Sequence, residues 1–234
     1  MHKRKNHNFI LDVIAYIHTD FPAKFGIPRQ SGLVDTKAEI IFEPEYRNPE
    51  AVRGLEEFTH LWLIWGFSET VRKTWSPTVR PPRLGGNKRV GVFASRSPFR
   101  PNPVGLSSVA LERMERREGK GIVLHVRGAD LMDGTPIYDI KPYLPYVDCH
   151  REAAGGFGER MKAYRLRVEI PKVWMRMVPA AHRELLGQIL AQDPRPSYQD
   201  DPERVYGMEY AGMEVHFRVE GDVLTVCGID VPAE

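Results

Sequence analysis

The sequence reads Leu61-Trp62-Leu63-Ile64-Trp65-Gly66-Phe67 in one apolar run, which has the length and composition of a buried β-strand. Further strand candidates lie on both sides of it, at 9–17, 39–42, 90–94, 107–113 and 121–126, and the first two of these are rich in β-branched and aromatic residues. Turn-forming residues separate these runs, and no amphipathic helix lies between them. The pattern predicts a mainly β fold, an antiparallel barrel or sandwich rather than a doubly wound sheet.

The composition changes after Cys149, where a polar stretch containing Gly155-Gly156 has the character of a linker. Beyond it, apolar residues recur at helical spacing in 179–192. Alternating patterns predict a strand at 164–170 and a hairpin across 213–231. We therefore predict two domains: residues 1–148 form the β domain, and residues 149–234 form a small C-terminal α+β domain.

Several classes of protein are disfavoured by the composition of the 234-residue chain. No apolar run reaches the ~20 residues that cross a bilayer, and the first residues show no signal-peptide pattern, so we expect a cytoplasmic protein without a membrane partner. The two cysteines are far apart, and the eight histidines have no metal-binding spacing. We therefore expect neither a disulfide nor a metal.

A basic stretch without any acidic residue runs from Arg72 to Leu111, although the formal net charge of the chain is only +2. Its cations are Arg72, Lys73, Arg80, Arg83, Lys88, Arg89, Arg96 and Arg100. A surface built from them would attract an anion. A charge run standing alone is usually a solvated face, but the prolines and glycines of 80–105 indicate an ordered loop, and such loops often bind ligands.

Short motifs occur in a fixed order at 51–56, 80–87, 91–105, 133–136, 139–143 and 192–196. Together they resemble the TsaA-like family, and in particular its bacterial tRNA (N6-threonylcarbamoyladenosine-N6)-methyltransferase branch. The resemblance implies an antiparallel β-barrel, S-adenosyl-L-methionine as cofactor, tRNA as substrate and a homodimer. The sequence agrees in one further respect: Gly85-Gly86 follows a proline-rich loop rather than a strand, so no Rossmann fingerprint is present there.

Matching the family's motifs places the cofactor contacts on four parts of this chain. They are Pro28, Arg29 and Gln30; Phe67 and Ser68; Arg96; and Leu131 with Asp133, Gly134, Thr135 and Pro136. Ser68 departs from the family pattern, in which a histidine is expected, so only a backbone contact is implied there. The aromatic rings of Trp65 and Phe67 either face the sulfonium or adenine of the cofactor or belong to the core.

The substrate implied by the resemblance has an acceptor nitrogen that carries a carbamoyl group, which makes it a poor nucleophile. A group that removes its proton is therefore expected. The candidates are Asp133, Tyr138, Asp139, Asp193 and Tyr198. Arg100 and Arg195 are candidates for the carboxylate of the substrate, and Tyr198 for stacking on a base. Each arginine could instead brace the fold.

A different function remains open from the residues alone: a non-catalytic RNA-binding or S-adenosylmethionine-sensing module. Both hypotheses predict RNA binding that weakens with salt, but only the enzyme incorporates methyl groups into tRNA. In either case we expect the C-terminal domain to help recognise tRNA, because Arg195 and Tyr198 lie beyond the linker.

Overall fold

The computed structural model describes residues 10–70, 74–81, 88–161, 164–196 and 201–231. Its strands are β1 (Ala15–Thr19), β2 (Lys37–Phe42), β3 (His60–Gly66), β4 (Thr78–Val79), β5 (Val90–Gly91), β6 (Val104–Arg117), β7 (Gly121–Arg127), β8 (Thr135–Pro142), β9 (Arg167–Glu169), β10 (Tyr206–Tyr210), β11 (Met213–Glu220) and β12 (Val223–Asp230). Its α-helices are α1 (Pro145–Asp148), α2 (Lys172–Met175) and α3 (Arg183–Ala191). Within these ranges, every helix is too short or too polar to span a bilayer.

Six strands close into an antiparallel barrel in the order β1-β2-β7-β6-β3-β8. Strand β1 closes the barrel, because Ile17 pairs with Ile40 of β2 on one side and with Thr135 of β8 on the other. Along β3, alternate residues such as Leu61 and Leu63 are fully buried, as the period of a strand requires. The predicted mainly β fold with an antiparallel barrel is confirmed.

The predicted strand at 90–94 forms only in its first two residues. Val90 and Gly91 pair with β4 in a separate two-stranded sheet. The Val92 amide then donates to the Pro77 carbonyl at 2.9 Å, and Val92–Ala94 winds into a 3-10 turn. The β-branched composition of this run is overridden by its contact with the preceding loop, so the basic segment lies outside the barrel.

The C-terminal part contains a four-stranded sheet in the order β10-β11-β12-β9 with helix α3 packed on it. Strands β11 and β12 form the predicted hairpin, while β9 pairs with β12 in parallel. The apolar side of α3 buries Leu186, Ile189 and Leu190. This arrangement agrees with the predicted α+β appendage.

The core of the C-terminal sheet includes residues from the loop that joins β1 to β2. Phe21 and Val34 are buried in it, and Phe25 and Ile27 pack against it. Gly26 has a φ of 97°, and a side chain there would overlap the sulfur of Met208. The boundary near residue 148 stays a prediction, but the structure shows that residues 21–34 pack with the chain beyond it.

Candidate active site

A cavity of about 200 Å³ lies between the end of β3 and the loop that joins β7 to β8. Four of the predicted cofactor residues line it, namely Phe67, Ser68, Leu131 and Thr135. The β1–β2 loop covers part of it with Lys24, whose Nζ donates to the Glu69 carbonyl at 2.8 Å. The structure thus brings together residues from three separate segments of the sequence.

Two aromatic rings form one wall of the cavity. The centroids of the Trp65 and Phe67 rings are 4.3 Å apart, and the ring planes are inclined by 59°. A side chain at Gly105 would overlap the indole of Trp65, so this glycine lets the ring lie directly on the backbone of β6. The Phe67 amide donates to the Pro103 carbonyl at 2.9 Å, which holds the end of the wall in place.

A chain of side-chain hydrogen bonds leads from this wall to a carboxylate that the sequence analysis missed. Trp65 Nε1 donates to Ser107 Oγ at 3.0 Å, and Ser107 Oγ donates to Asp130 Oδ1 at 2.6 Å. Ser107 is buried, and Asp130 lines the cavity. Burial raises the pKa of Asp130, although the Ser107 hydrogen bond opposes this shift.

The predicted Asp133-Gly134-Thr135-Pro136 segment forms a tight turn at the entrance to β8. Gly134 has a φ of 72°, and its amide donates to the Ile17 carbonyl at 2.9 Å. The carboxylate of Asp133 accepts from the Thr19 amide at 3.1 Å and lies 3.2 Å from His18 Nδ1. Its neighbours Met132 and Thr135 line the cavity, whereas Asp133 Oδ1 faces β1.

Gln30 and Arg96, both predicted to contact the cofactor, are hydrogen-bonded to each other through Arg96 Nη1 and Gln30 Oε1. Arg96 also lines a second cavity of about 720 Å³, together with Arg80 and Arg89. Pro98 lines both cavities, so they are adjacent. The basic segment therefore lies beside the smaller cavity.

Arg29, Asp193 and Arg195 meet in a different place, at the contact between the β1–β2 loop and the C-terminal domain. Arg29 Nη2 donates to the carbonyls of Asp193 and Arg195 at 2.7 and 3.1 Å. Arg195, only 8% exposed, donates through Nε and Nη2 to both carboxylate oxygens of Asp193, at 2.9 and 3.1 Å. We call this group the Arg29 junction.

Both carboxylate oxygens of Asp193 are hydrogen-bonded within the Arg29 junction. Tyr164 donates its hydroxyl to Asp193 Oδ2 at 2.8 Å. Although burial acts in the opposite direction, the bonds from Arg195 and Tyr164 lower the pKa of Asp193. Asp193 and Arg195 brace the fold here, and their roles as base and substrate ligand stay predictions. Tyr198 lies outside the described residues.

The remaining candidates are held by the scaffold. The ring of Tyr138 occupies the space that a side chain at Gly66 would fill, and Asp139 forms an ion pair with Lys141 at 2.7 Å. Arg100 Nη1 donates to the Ser95 carbonyl at 2.6 Å, and its guanidinium lies 5.7 Å from the centroid of the Phe93 ring. Their catalytic and substrate-binding roles stay predictions.

The prediction that no metal is used also stays a prediction. Among the described residues, Glu214, His216 and Asp230 bring potential ligand atoms within 4.8 Å of one another, on the solvent-facing side of the C-terminal sheet. They contribute nothing to either cavity described above.

Comparison with known proteins agrees with this architecture. The N-terminal domain of tRNA-methyltransferase O matches residues 16–149, and the C-terminal domain of the same family matches residues 165–232. The chain is similar to a crystal structure of TrmO from Pseudomonas aeruginosa, with a TM-score of 0.80 and 32% identity over 98% of this chain and 100% of that one.

Two relatives carry names that are consistent with this family. A tRNA (adenine(37)-N6)-methyltransferase of Escherichia coli is 38% identical over 91% of this chain and 94% of its own. A protein of the same name from Eikenella corrodens is 50% identical over 70% of this chain and 92% of its own. By the match of both domains and by its barrel, the chain belongs to the tRNA-methyltransferase O family.

Proposed function

We propose that this protein transfers a methyl group from S-adenosyl-L-methionine to N6 of adenosine 37 in tRNA, and that this adenosine carries a threonylcarbamoyl group. The observation that carries the proposal is the gathering of Phe67, Ser68, Leu131 and Thr135 around one cavity of the barrel. The name of the Escherichia coli and Eikenella corrodens relatives supports the position of the methylated atom. The threonylcarbamoyl group rests on the resemblance of the motifs.

The residues around the cavity fit this methyl donor. Trp65 and Phe67 offer aromatic faces, Leu131 an apolar surface, and Asp130 and Thr135 polar groups. When bound, the donor supplies a methyl carbon that its sulfonium makes electrophilic. The contribution of the chain is to hold donor and acceptor in line and to exclude water from the barrel end.

The base that takes the proton from the acceptor nitrogen is best sought at the β8 entrance. Asp133 follows Met132 and precedes Thr135 by two positions, and both of those residues line the cavity. Asp193, by contrast, is engaged by Arg195 and Tyr164. Among the described residues, hydrogen bonds engage only Oδ1 of Asp133, and this side chain is 46% exposed, whereas both carboxylate oxygens of Asp193 are engaged. We therefore favour Asp133 among the candidates, acting through its other carboxylate oxygen, and expect Asp133→Asn to lower kcat more than it weakens cofactor binding.

The basic segment is the proposed contact for the tRNA backbone. Arg80, Arg89 and Arg96 line the larger cavity, in a stretch of sequence without acidic residues. Guanidinium groups placed together in this way bind phosphate well. We further propose that the C-terminal domain, residues 149–234, helps to select the tRNA, that the protein works as a homodimer, and that it acts in the cytoplasm.

Mass spectrometry of nucleosides tests the proposed function. Unmodified and threonylcarbamoylated tRNA are incubated with the protein and S-adenosyl-L-methionine, and we expect a mass increase of one methyl group only on the threonylcarbamoylated adenosine. RNA binding without any methyl incorporation would favour the alternative, a non-catalytic RNA-binding or cofactor-sensing module. Methylation of unmodified adenosine would contradict only the threonylcarbamoyl part.

A further inference from the structure

Asp130 stands out among the residues of the smaller cavity because its carboxylate is shielded from solvent and, within the described ranges, has no cation at ion-pair distance. Its carboxylate accepts from Ser107 Oγ at 2.6 Å and from the backbone amides of Ser31 and of Asp130 itself. None of the ion pairs formed within the described ranges includes Asp130. Arg96 acts on Asp130 through its charge but forms no ion pair with it, and its Nη1 donates to Gln30 Oε1.

An unpaired carboxylate shielded from water is costly, and such groups are normally paired. The three donors fix the orientation of Asp130 but leave its negative charge in place. Beside it, the cavity wall is mostly apolar and includes Trp65, Phe67 and Leu131. The site thus offers negative charge and aromatic faces. Its other side-chain acceptors are Ser68, Glu69 and Thr135, and the first two of these are exposed at the surface.

This combination matches one class of cation. An ammonium group has three N–H donors, and each of them needs a hydrogen-bond acceptor. A sulfonium has no hydrogen-bond donor, and it binds well against aromatic faces and a carboxylate. We propose that Asp130 is the counter-ion of the positively charged sulfur of the methyl donor, with Trp65 and Phe67 completing the cation site. The proposal rests on the proposed function, since it assumes that S-adenosyl-L-methionine binds in this cavity.

A carboxylate beside the sulfur should bind the charged methyl donor more tightly than the neutral product. Methyl transfer converts the sulfonium into a neutral thioether, so the attraction by Asp130 disappears when the product S-adenosylhomocysteine forms. Asp130 therefore favours the methyl donor over its product. The Trp65–Ser107–Asp130 chain makes Ser107 a positioning residue, because its hydroxyl fixes the carboxylate beside the rings.

The test is titration calorimetry of the full-length protein with S-adenosyl-L-methionine and S-adenosylhomocysteine at one pH and salt concentration. Asp130→Asn keeps the shape of the side chain and removes its charge. We expect it to weaken binding of the methyl donor by about 10- to 100-fold and binding of the product by less than about 3-fold. Ser107→Ala should weaken only donor binding, by a smaller factor.

Glu112→Gln is the matched control, because Glu112 is an exposed carboxylate on barrel strand β6 that lines neither of the two cavities. It should leave both affinities within about 2-fold of the original, as expected of a solvent-screened charge. Thermal melts establish that each variant is folded; if Asp130→Asn fails to fold, Ser107→Ala decides by the same donor-to-product ratio.

An equal loss of both ligands in Asp130→Asn would overturn the proposal, because both carry the same ammonium and adenosine and differ only in the charged sulfur. A protein that binds the donor and discriminates through Asp130, but does not methylate tRNA, would refute the proposed function and leave this inference standing. A protein that binds neither ligand would overturn both.

Discussion

The described residues form two hydrophobic cores, which are built from the chain in different ways. The barrel core comes from strands and turns between Ala15 and Ile137, whereas the C-terminal core adds Phe21 and Val34 from the β1–β2 loop to residues beyond 160. That loop also carries Pro28, Arg29 and Gln30, which were predicted to contact the cofactor. One side of the proposed site therefore belongs to the barrel, and the other is held by the C-terminal domain.

Phe21→Ala should break the C-terminal core and with it one side of the site. Phe21 is fully buried, so we expect the free energy of unfolding to fall by about 3–5 kcal/mol and the affinity for S-adenosyl-L-methionine to fall by at least about 10-fold. Urea denaturation and calorimetry measure the two effects. Leu124→Ala, in the barrel core, should cost about 2–5 kcal/mol with a smaller loss of affinity. Unchanged affinity in a folded Phe21→Ala protein would contradict the coupling.

Arg29→Met should loosen the contact between the loop and the C-terminal domain. It removes two hydrogen bonds from a guanidinium to backbone carbonyls, so we expect a loss of about 1.5–3 kcal/mol and weaker cofactor binding. Arg53→Met is the control, since Arg53 pairs only with the exposed Glu50 among the described residues and should change stability by less than about 0.5 kcal/mol. Equal effects of the two variants would show that the Arg29 junction adds no more to stability or cofactor binding than an exposed ion pair does.

Arg96→Ala tests the basic side of the site without disturbing either core. Arg96 is exposed and bonded to Gln30, so the variant should remain folded while cofactor affinity falls by about 10-fold, the effect of one charged hydrogen bond. Arg80→Ala, on the same larger cavity, should change that affinity by less than about 3-fold while weakening tRNA binding. Calorimetry showing no change for Arg96→Ala would remove Arg96 from the cofactor site.

The smallest expected effect is the response of the barrel surface to acid. The hydrogen bond from Arg117, followed by that from His125, lowers the pKa of Glu115 from 4.5 to about 2. A lowered pKa stabilises the folded state above pH 4.5, and this contribution is lost as the pH falls towards 2. Thermal melts between these values should show a slope that Glu115→Gln reduces and high salt diminishes. An identical slope in the variant would assign acid sensitivity to other carboxylates, such as Asp193.

The parts of the fold that could be predicted depend on local pattern. The alternation of Leu61, Leu63 and Trp65 follows from the period of a strand, and the hairpin of β11 and β12 joins two runs that are adjacent in sequence. The packing of Phe21 against Tyr210 could not be predicted, because nothing near residue 21 specifies a partner so distant in sequence. The prediction of a strand over 90–94 was wrong beyond Gly91 for a related reason, because the Val92 amide donates a hydrogen bond to the Pro77 carbonyl in the preceding loop.

The site was predictable to a similar degree. Motif matching found Phe67, Leu131 and Thr135, which line the cavity. It did not single out Asp130, which directly precedes Leu131 and lines the cavity, because the side-chain hydrogen bond that orients this carboxylate comes from Ser107 on β6, a contact set by tertiary packing. Arg195 and Asp193 looked like ligand-binding groups in the sequence, but their burial against each other is set by tertiary packing.

Because the C-terminal core contains Phe21 and Val34 from the β1–β2 loop, this core can form only after the later strands have been synthesised. Ribosomes extend chains at about 5–20 residues per second, so roughly 10–40 seconds pass between the synthesis of Phe21 and that of the strands that contact it. During that interval the barrel strands through β8 are available to pair, while Phe21, Phe25 and Val34 have no apolar partners from β10 to β12. The loop that bears Gln30 therefore reaches its final position only after β10 to β12 have been made, so the proposed cofactor site is completed well after the barrel strands.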